Sequence, residues 1–304
     1  VLIATITPHI DFGPLLVAHP SIEALRFNTI TPQGNRTKKE LLEELLGLCG
    51  SKPLWVDLKG RQLRIVRWGD PNYTTVDISH KISVDLPTRI YFKDQVSMIV
   101  DIVGGNRLIL ADAPDRPVGA GEPVNILDPS LNIEGFLTTD DVKYIYIAKR
   151  LGLHNFMLSF VERPEDIQEV LSIDSKAKVI AKIESRRGLS FVSNEYRPDE
   201  GVRLMAARDD LYINMGDHKE DILEAQERIV KADPSAIAAS RILTSMENDQ
   251  NVSLSDLADL KLLSVYGYEH FMLSDQLCRN RRSFFRASDM FKRYTEQIGA
   301  SSES

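Results

Sequence analysis

The sequence predicts an α/β protein, a (β/α)8 TIM barrel with a small all-β domain inserted after the third strand. Short apolar runs alternate with amphipathic stretches almost throughout the 304 residues, giving eight strands mostly followed by helices. Between residues 66 and 135 this rhythm gives way to period-2 runs such as KISVDL, RIYF, VSMIVDI and NRLILAD, with Gly104-Gly105-Asn106 as a hairpin turn. Setting aside those roughly 70 residues leaves roughly 234, close to the ~250 typical of such a barrel. The expected units are a discontinuous barrel, 1–65 and 136–304, and an inserted β domain, 66–135.

Each element has its own reason. Residues 1–7 (VLIATIT) read as a buried strand ended by Pro8, and 24–28 as a second short strand. Residues 37–49 place leucines at helical spacing, and 54–57 form the third strand. After the insert, 139–151 opens with Thr-Thr-Asp-Asp, a helix-start signal. Strand and helix then alternate: 156–160 and 163–171 (begun by Pro164), 178–184 and 187–194, 202–206 and 218–232, 236–240 and 254–265, 271–273 and 283–298. Loops on the C-terminal face of such a barrel carry its active site, so a domain inserted there is placed to act as a lid. An independent binding module is the other use for it.

Composition narrows the function. Lys and Arg total 37 against 44 Asp and Glu, a net charge of −7 with no basic stripe, which argues against a nucleic-acid partner. Cys49 and Cys278 make neither a disulfide framework nor a zinc spacing. No apolar run is long enough for a membrane span, and the first residues do not read as a signal peptide. A soluble, cytoplasmic protein is the expectation.

Three strand ends carry polar or charged residues at i and i+2, which face the same way: Arg26 with Asn28, Asp57 with Lys59, Lys182 with Glu184. In KVIAKIES, residues Val179, Ala181 and Ile183 should face the helices, and Ile180, Lys182 and Glu184 the barrel axis. A structural salt bridge explains any one pair; three on one face suggest a ligand, because buried charge is costly unless paired or bound. One strand over, Asp209-Asp210 adds carboxylate, whose plainer role is to cap a helix. Two carboxylates with few other ligands suit Mg²⁺ or Mn²⁺, and a lysine beside them would neutralise a phosphoryl group or an enolate.

On these residues the chain resembles the pyruvate kinase family, in register over nearly its whole length. Thr5-Ile6-Thr7-Pro8 resembles the opening Thr-Ile-Gly-Pro, and Ala24-Leu25-Arg26-Phe27-Asn28 the Ala-Arg-Leu-Asn segment. Residues 57–64 (DLKGRQLR) are similar to Asp-Thr-Lys-Gly-Pro-Glu-Ile-Arg, and Ser159-Phe160 falls on Ala-Ser-Phe. Lys182-Ile183-Glu184 matches the Lys-Ile-Glu signature, residues 207–211 (ARDDL) resemble Ala-Arg-Gly-Asp-Leu, and Ala239-Ser240-Arg241 falls on Ala-Thr-Gln. Tyr91-Phe92-Lys93-Asp94 and Asn132-Ile133-Glu134-Gly135 resemble segments of the family's lid.

The resemblance implies catalytic Lys182, Arg26 and Ser240, with Lys182 and Arg26 on the phosphoryl group. It implies a divalent ion on Glu184 and Asp210, backbone N–H groups of the following helix on the substrate carboxylate, and ADP or ATP near Arg64, Asn28, Lys59 and Asp94. Departures fall on the nucleotide side. Asn28-Thr29-Ile30-Thr31 replaces Asn-Phe-Ser-His, and Leu58 stands for a threonine, so Ile30 and Leu58 leave no K⁺ site. Ser274-Asp275-Gln276-Leu277 replaces Ser-Gly-Glu-Thr, and the expectation is a member without the family's C-terminal regulatory domain. The implied partners are a phosphoenolpyruvate- or pyruvate-like substrate and a nucleotide, with homo-oligomerisation open. The alternatives are a metal-dependent lyase or aldolase acting through a pyruvate enolate, and a non-catalytic paralogue that binds a metabolite or partner.

Overall fold

The computed structural model describes residues 1–67, 73–93, 95–199, 201–248 and 251–302, the last five by backbone alone. Strands β1 (Leu2–Thr5), β2 (Ile22–Asn28) and β3 (Leu54–Leu58) come first, interleaved with helices α1 (Gly13–Ala18) and α2 (Lys38–Cys49). The insert follows as β4 (Thr75–Asp77), β5 (Ile82–Ser83), β6 (Thr88–Tyr91), β7 (Val96–Val103), β8 (Arg107–Leu110) and β9 (Asn132–Ile133). The barrel resumes with α3 (Thr139–Arg150), β10 (Asn155–Leu158), α4 (Pro164–Ile173), β11 (Lys178–Ile183), α5 (Arg186–Asn194), β12 (Val202–Ala207) and α6 (Arg208–Asn214). It ends with α7 (Ile222–Ala232), β13 (Ile237–Ala239), α8 (Leu254–Tyr266), β14 (His270–Met272), α9 (Asp275–Arg279) and α10 (Arg281–Ser302).

Eight parallel strands close into a barrel in the order β1-β14-β13-β12-β11-β10-β3-β2, the (β/α)8 architecture that the sequence predicts. Strand alternation divides the apolar side chains into two cores. Val179, Ala181 and Ile183 pack outward with Leu158, Leu204 and the helices, while Ile180 joins Met157, Met205 and Ile237 inside the barrel. Lys182 and Glu184 share the inward parity of Ile180, so the strand carries their charges to the axis at its C-terminal end.

Two helices begin with reciprocal caps. Thr37 accepts from the Glu40 N–H while Glu40 accepts from the Thr37 N–H, and Thr138 and Asp141 repeat the exchange on α3. Asp141 also accepts from the Lys59 and Gly60 N–H groups (2.9 and 3.2 Å), tying the loop after β3 to the helix that restarts the barrel. Gly60 has φ +51°, and a Cβ there would lie 2.3 Å from the Ser159 carbonyl oxygen, so this turn admits only glycine.

The insert's main sheet is antiparallel in the order β4-β8-β7-β6, with the expected turn at 104–106 between β7 and β8. It has a separate core that includes Val76, Ile90, Ile99 and Leu108, and Leu63 and Ile65, ahead of residue 66, pack there too. Of KISVDL only β5 is a strand, and it pairs with β9 apart from the main sheet. Arg187 of α5 donates to the Pro129 and Leu131 carbonyls (2.9 and 2.6 Å), and Asn214 of α6 to Asn125 (3.3 Å), linking insert to barrel. Helices α1, α6 and α9 span five to seven residues, too short to display a periodic face, and sequence periodicity misses them.

Candidate active site at the barrel mouth

The C-terminal ends of the strands open into a cavity of roughly 810 Å³. All three i, i+2 pairs line it: Arg26 and Asn28, Asp57 and Lys59, Lys182 and Glu184. Asp210, Ser240 and Arg64 line it as well, so eight of the nine residues expected at the site meet at one place. Asp94, the ninth, lies outside the described residues.

On the β11 side, the Lys182 ammonium donates to Ser159 Oγ (2.9 Å) and pairs with Glu184 Oε1 (3.1 Å) and Asp57 Oδ1 (3.6 Å). Burial alone would lower its pKa, but Asp57 and Glu184 outweigh burial and keep it above the ordinary lysine value, a cation at any physiological pH. Glu184 Oε2 accepts from the Phe160 N–H at 2.7 Å. Burial pushes the Glu184 carboxyl up to about 7; Lys182 opposes the rise and the charge of Asp210 adds to it. Asp210, on the first turn of α6, is raised too, by burial against Lys182 and Arg64, and accepts from Gln62 at 3.3 Å. Both carboxylates are raised, Glu184 partly by the charge of Asp210, a condition that a divalent cation would relieve. Among the described residues no group of three or more His, Cys, Asp or Glu could hold a metal ion. A cation on Glu184 and Asp210 would therefore take its other ligands from water or substrate oxygens.

On the β2 side, Arg26 is enclosed by acid. Its Nε donates to Asp57 Oδ2 at 2.7 Å, and Nη1 donates to Thr5 Oγ1 (3.0 Å) and to Asp275 Oδ1. Asn28 donates to Asp275 Oδ2 at 3.1 Å, and Thr5 Oγ1 to Asp275 Oδ1 at 3.0 Å. Burial lowers the Arg26 pKa, yet the two carboxylates raise it overall. Asp57 Oδ1 is buried without a hydrogen bond, a deficit of about 1–3 kcal/mol partly offset by the Lys182 charge.

The other expected residues have partners of their own. Lys59 Nζ donates to Asp140 at 3.2 Å. Arg64 donates to Gln62 and to the Gly121 carbonyl of the insert, and burial draws its pKa down against the pull of Asp210, Asp57 and Glu184. Ile30 and Leu58, the two positions without a K⁺-ligating side chain, also line the cavity. Ser240 and Arg241 sit at positive φ (65° and 55°), conformations costing about 1–3 kcal/mol for residues with a Cβ. Arg208 fixes that loop by donating to both carbonyls (3.2 Å each) while gripping Asp259 with two nitrogens.

Sequence reasoning missed two contributors. Asp275 registered only as a departure from a glycine, although a carboxylate just beyond the last barrel strand is itself a signal for the mouth. Arg61 pairs with buried Asp166 through two nitrogens (2.8 and 2.5 Å) and donates to the Phe160 carbonyl (3.2 Å). Phe160, at φ 54°, is thus held from its carbonyl side while its N–H serves Glu184.

Comparison with known proteins follows the same outline. The family described as pyruvate kinase, barrel domain, matches residues 64–280. The pyruvate kinase of Methanocaldococcus jannaschii is 27% identical over 217 residues, covering 67% of this chain and 45% of that protein. Pyruvate kinase 2 of Saccharomyces cerevisiae is 22% identical over 215 residues, covering 67% of this chain and 42% of the relative. The pyruvate kinase of Mycobacterium tuberculosis is 26% identical over 192 residues, covering 60% and 39%. The chain spans less than half the length of these curated relatives.

Proposed function

The chain belongs to the pyruvate kinase family, and from that premise we propose that it moves a phosphoryl group between phosphoenolpyruvate, or a related 2-oxo acid enol phosphate, and ADP. The observation that carries this reading is the buried Lys182–Glu184 pair, 3.1 Å apart, opening beside Asp210 into the cavity. Glu184 and Asp210 would hold Mg²⁺ or Mn²⁺, which supplies Lewis-acid stabilisation of negative oxygen. Lys182, aimed by Ser159 and kept charged by its acidic neighbours, would meet the charge that develops on the transferring group or on the enolate. Arg26 would reach a phosphoryl oxygen, and Ser240 would turn its hydroxyl toward the substrate. Lys59, Arg64, Asn28 and Asp94 would serve the nucleotide.

The insert, 66–135, would act as a lid with hinges near Arg64–Arg67 and at Gly135, whose φ of +75° a glycine adopts cheaply. The setting would be cytoplasmic, with small anionic substrates as partners. No described helix is long and apolar enough to cross a membrane.

The test is a coupled assay of phosphoenolpyruvate plus ADP with Mg²⁺ or Mn²⁺, with and without K⁺. Pyruvate formation that needs the divalent ion and ignores K⁺ is the expected result. Inactivity with every nucleotide and enol phosphate tried, at saturating metal, would leave a binding protein. One observation favours a second reading. Asp275 already occupies Arg26, so metal-dependent carbon–carbon cleavage through a pyruvate enolate could use the Lys182 half alone. It would show no nucleotide dependence.

A further inference from the structure

The donors at the end of β2 have an internal ligand. Arg26 and Asn28 line the cavity, and Arg26 Nη1 and the Asn28 amide both donate to Asp275, whose Oδ1 also accepts from the Thr5 hydroxyl. Asp57 holds the remaining face of the guanidinium. Asp275 follows the last strand of the barrel, and its side chain meets Thr5 of β1 and Arg26 and Asn28 of β2. Its side chain is 27% exposed, against 4% for Asp57, so only Asp275 has room to swing aside. The charged side chains lining the cavity are eight carboxylates and six cations, a poor field for a free polyanion.

We propose that Asp275 is a specificity-determining residue that competes with substrate for Arg26 and Asn28 and excludes free phosphate-like anions from this half of the mouth. An anion gains the guanidinium only by displacing a carboxylate already hydrogen-bonded there, and it must then lie beside that carboxylate's charge. The site thereby favours substrates whose charge is partly neutralised by a bound cation over free oxyanions. This rests on the proposed function only in placing a substrate anion near Arg26.

The probe is inorganic phosphate, titrated calorimetrically into the full chain without divalent metal or nucleotide. Asp275→Asn keeps the shape and removes the charge, and about a tenfold gain in phosphate affinity over the parent is expected. Asp275→Ser, checked by thermal melting, repeats the test should the asparagine variant fold poorly. Adding Arg26→Met to either variant should abolish the gain. Equal affinity in the parent and in the folded Asp275 variants overturns the proposal, as does a gain that survives loss of Arg26. The titration involves no turnover, so a catalytically silent parent with the predicted gain sinks the phosphotransferase reading and leaves this inference standing.

Discussion

At the ends of β2 and β14, Arg26 faces Asp57 and Asp275; at β11 and α6, Lys182 faces Glu184 and Asp210. Each cation has two carboxylates on its own side and Asp57 lies between the two cations, yet the outer carboxylates behave differently. Burial would raise Asp275, but Arg26, Asn28 and Thr5 hold it below the ordinary aspartate value. Glu184 and Asp210 share fewer donors, repel each other and are raised. Equal formal charge therefore gives one half whose more exposed carboxylate, Asp275, is saturated with donors and one whose carboxylates are held toward the protonated form. The Arg26 charge first, and the Asn28 and Thr5 donors after it, set this difference, which the count of formal charges does not show.

The most severe way to break this contrast is to remove the cation of the unsaturated half. Lys182→Met keeps length and apolar packing, and we expect phosphoryl transfer in the coupled assay to fall by about 10²–10³-fold. Calorimetry should show Mn²⁺ still bound, because the carboxylates hold it. Loss of metal binding with Lys182 would mean that the lysine organises the site.

Removing one carboxylate is the next test. Glu184→Gln should weaken Mn²⁺ binding in the presence of oxalate by at least about tenfold. An unchanged affinity would place the ion elsewhere.

The raised Glu184 carboxyl adds a pH signature. With its carboxyl near pH 7, a proton competes with metal below that point, so Mn²⁺ affinity should fall about tenfold per pH unit below about 7. In the metal-free protein the sign is opposite. The folded state keeps a proton that the unfolded chain gives up at ordinary carboxylate pH, so this group's stabilisation is complete below that range and is lost as pH rises through about 7. Melting temperatures with and without Mn²⁺ should diverge as pH climbs.

The smallest effect is expected in the loop after β13, between the halves. Ser240→Gly relieves a left-handed residue and should stabilise the fold by about 0.5–1 kcal/mol, read as a modest rise in Tm. If Ser240 serves the substrate, turnover should fall while Tm rises.

Much of this was legible in the chain. The strands of the barrel show as short apolar runs, and the capping signal before α3 is local. The i, i+2 parity that sends Lys182 and Glu184 inward depends only on strand geometry. Helix α9 was not legible, because at five residues it buries too little of one face to impose a pattern, and α6, at seven, shows no periodicity and was legible only through Asp209-Asp210 as a helix start. Arg61 read as a replaced proline, and nothing adjacent to it announces Asp166, 105 residues on.

The sequence by itself determined the barrel's alternation, the inserted β segment and the side chains turned toward the axis, because these follow from periodicities of two and 3.6 residues. Tertiary structure alone decided how those charges pair. Arg26 and Asp275 lie 249 residues apart and meet because barrel closure sets β14 beside β1 and β1 beside β2. Which carboxylates take the arginine, and which pair with the lysine, depends on distances across that closed ring, and no local pattern records them.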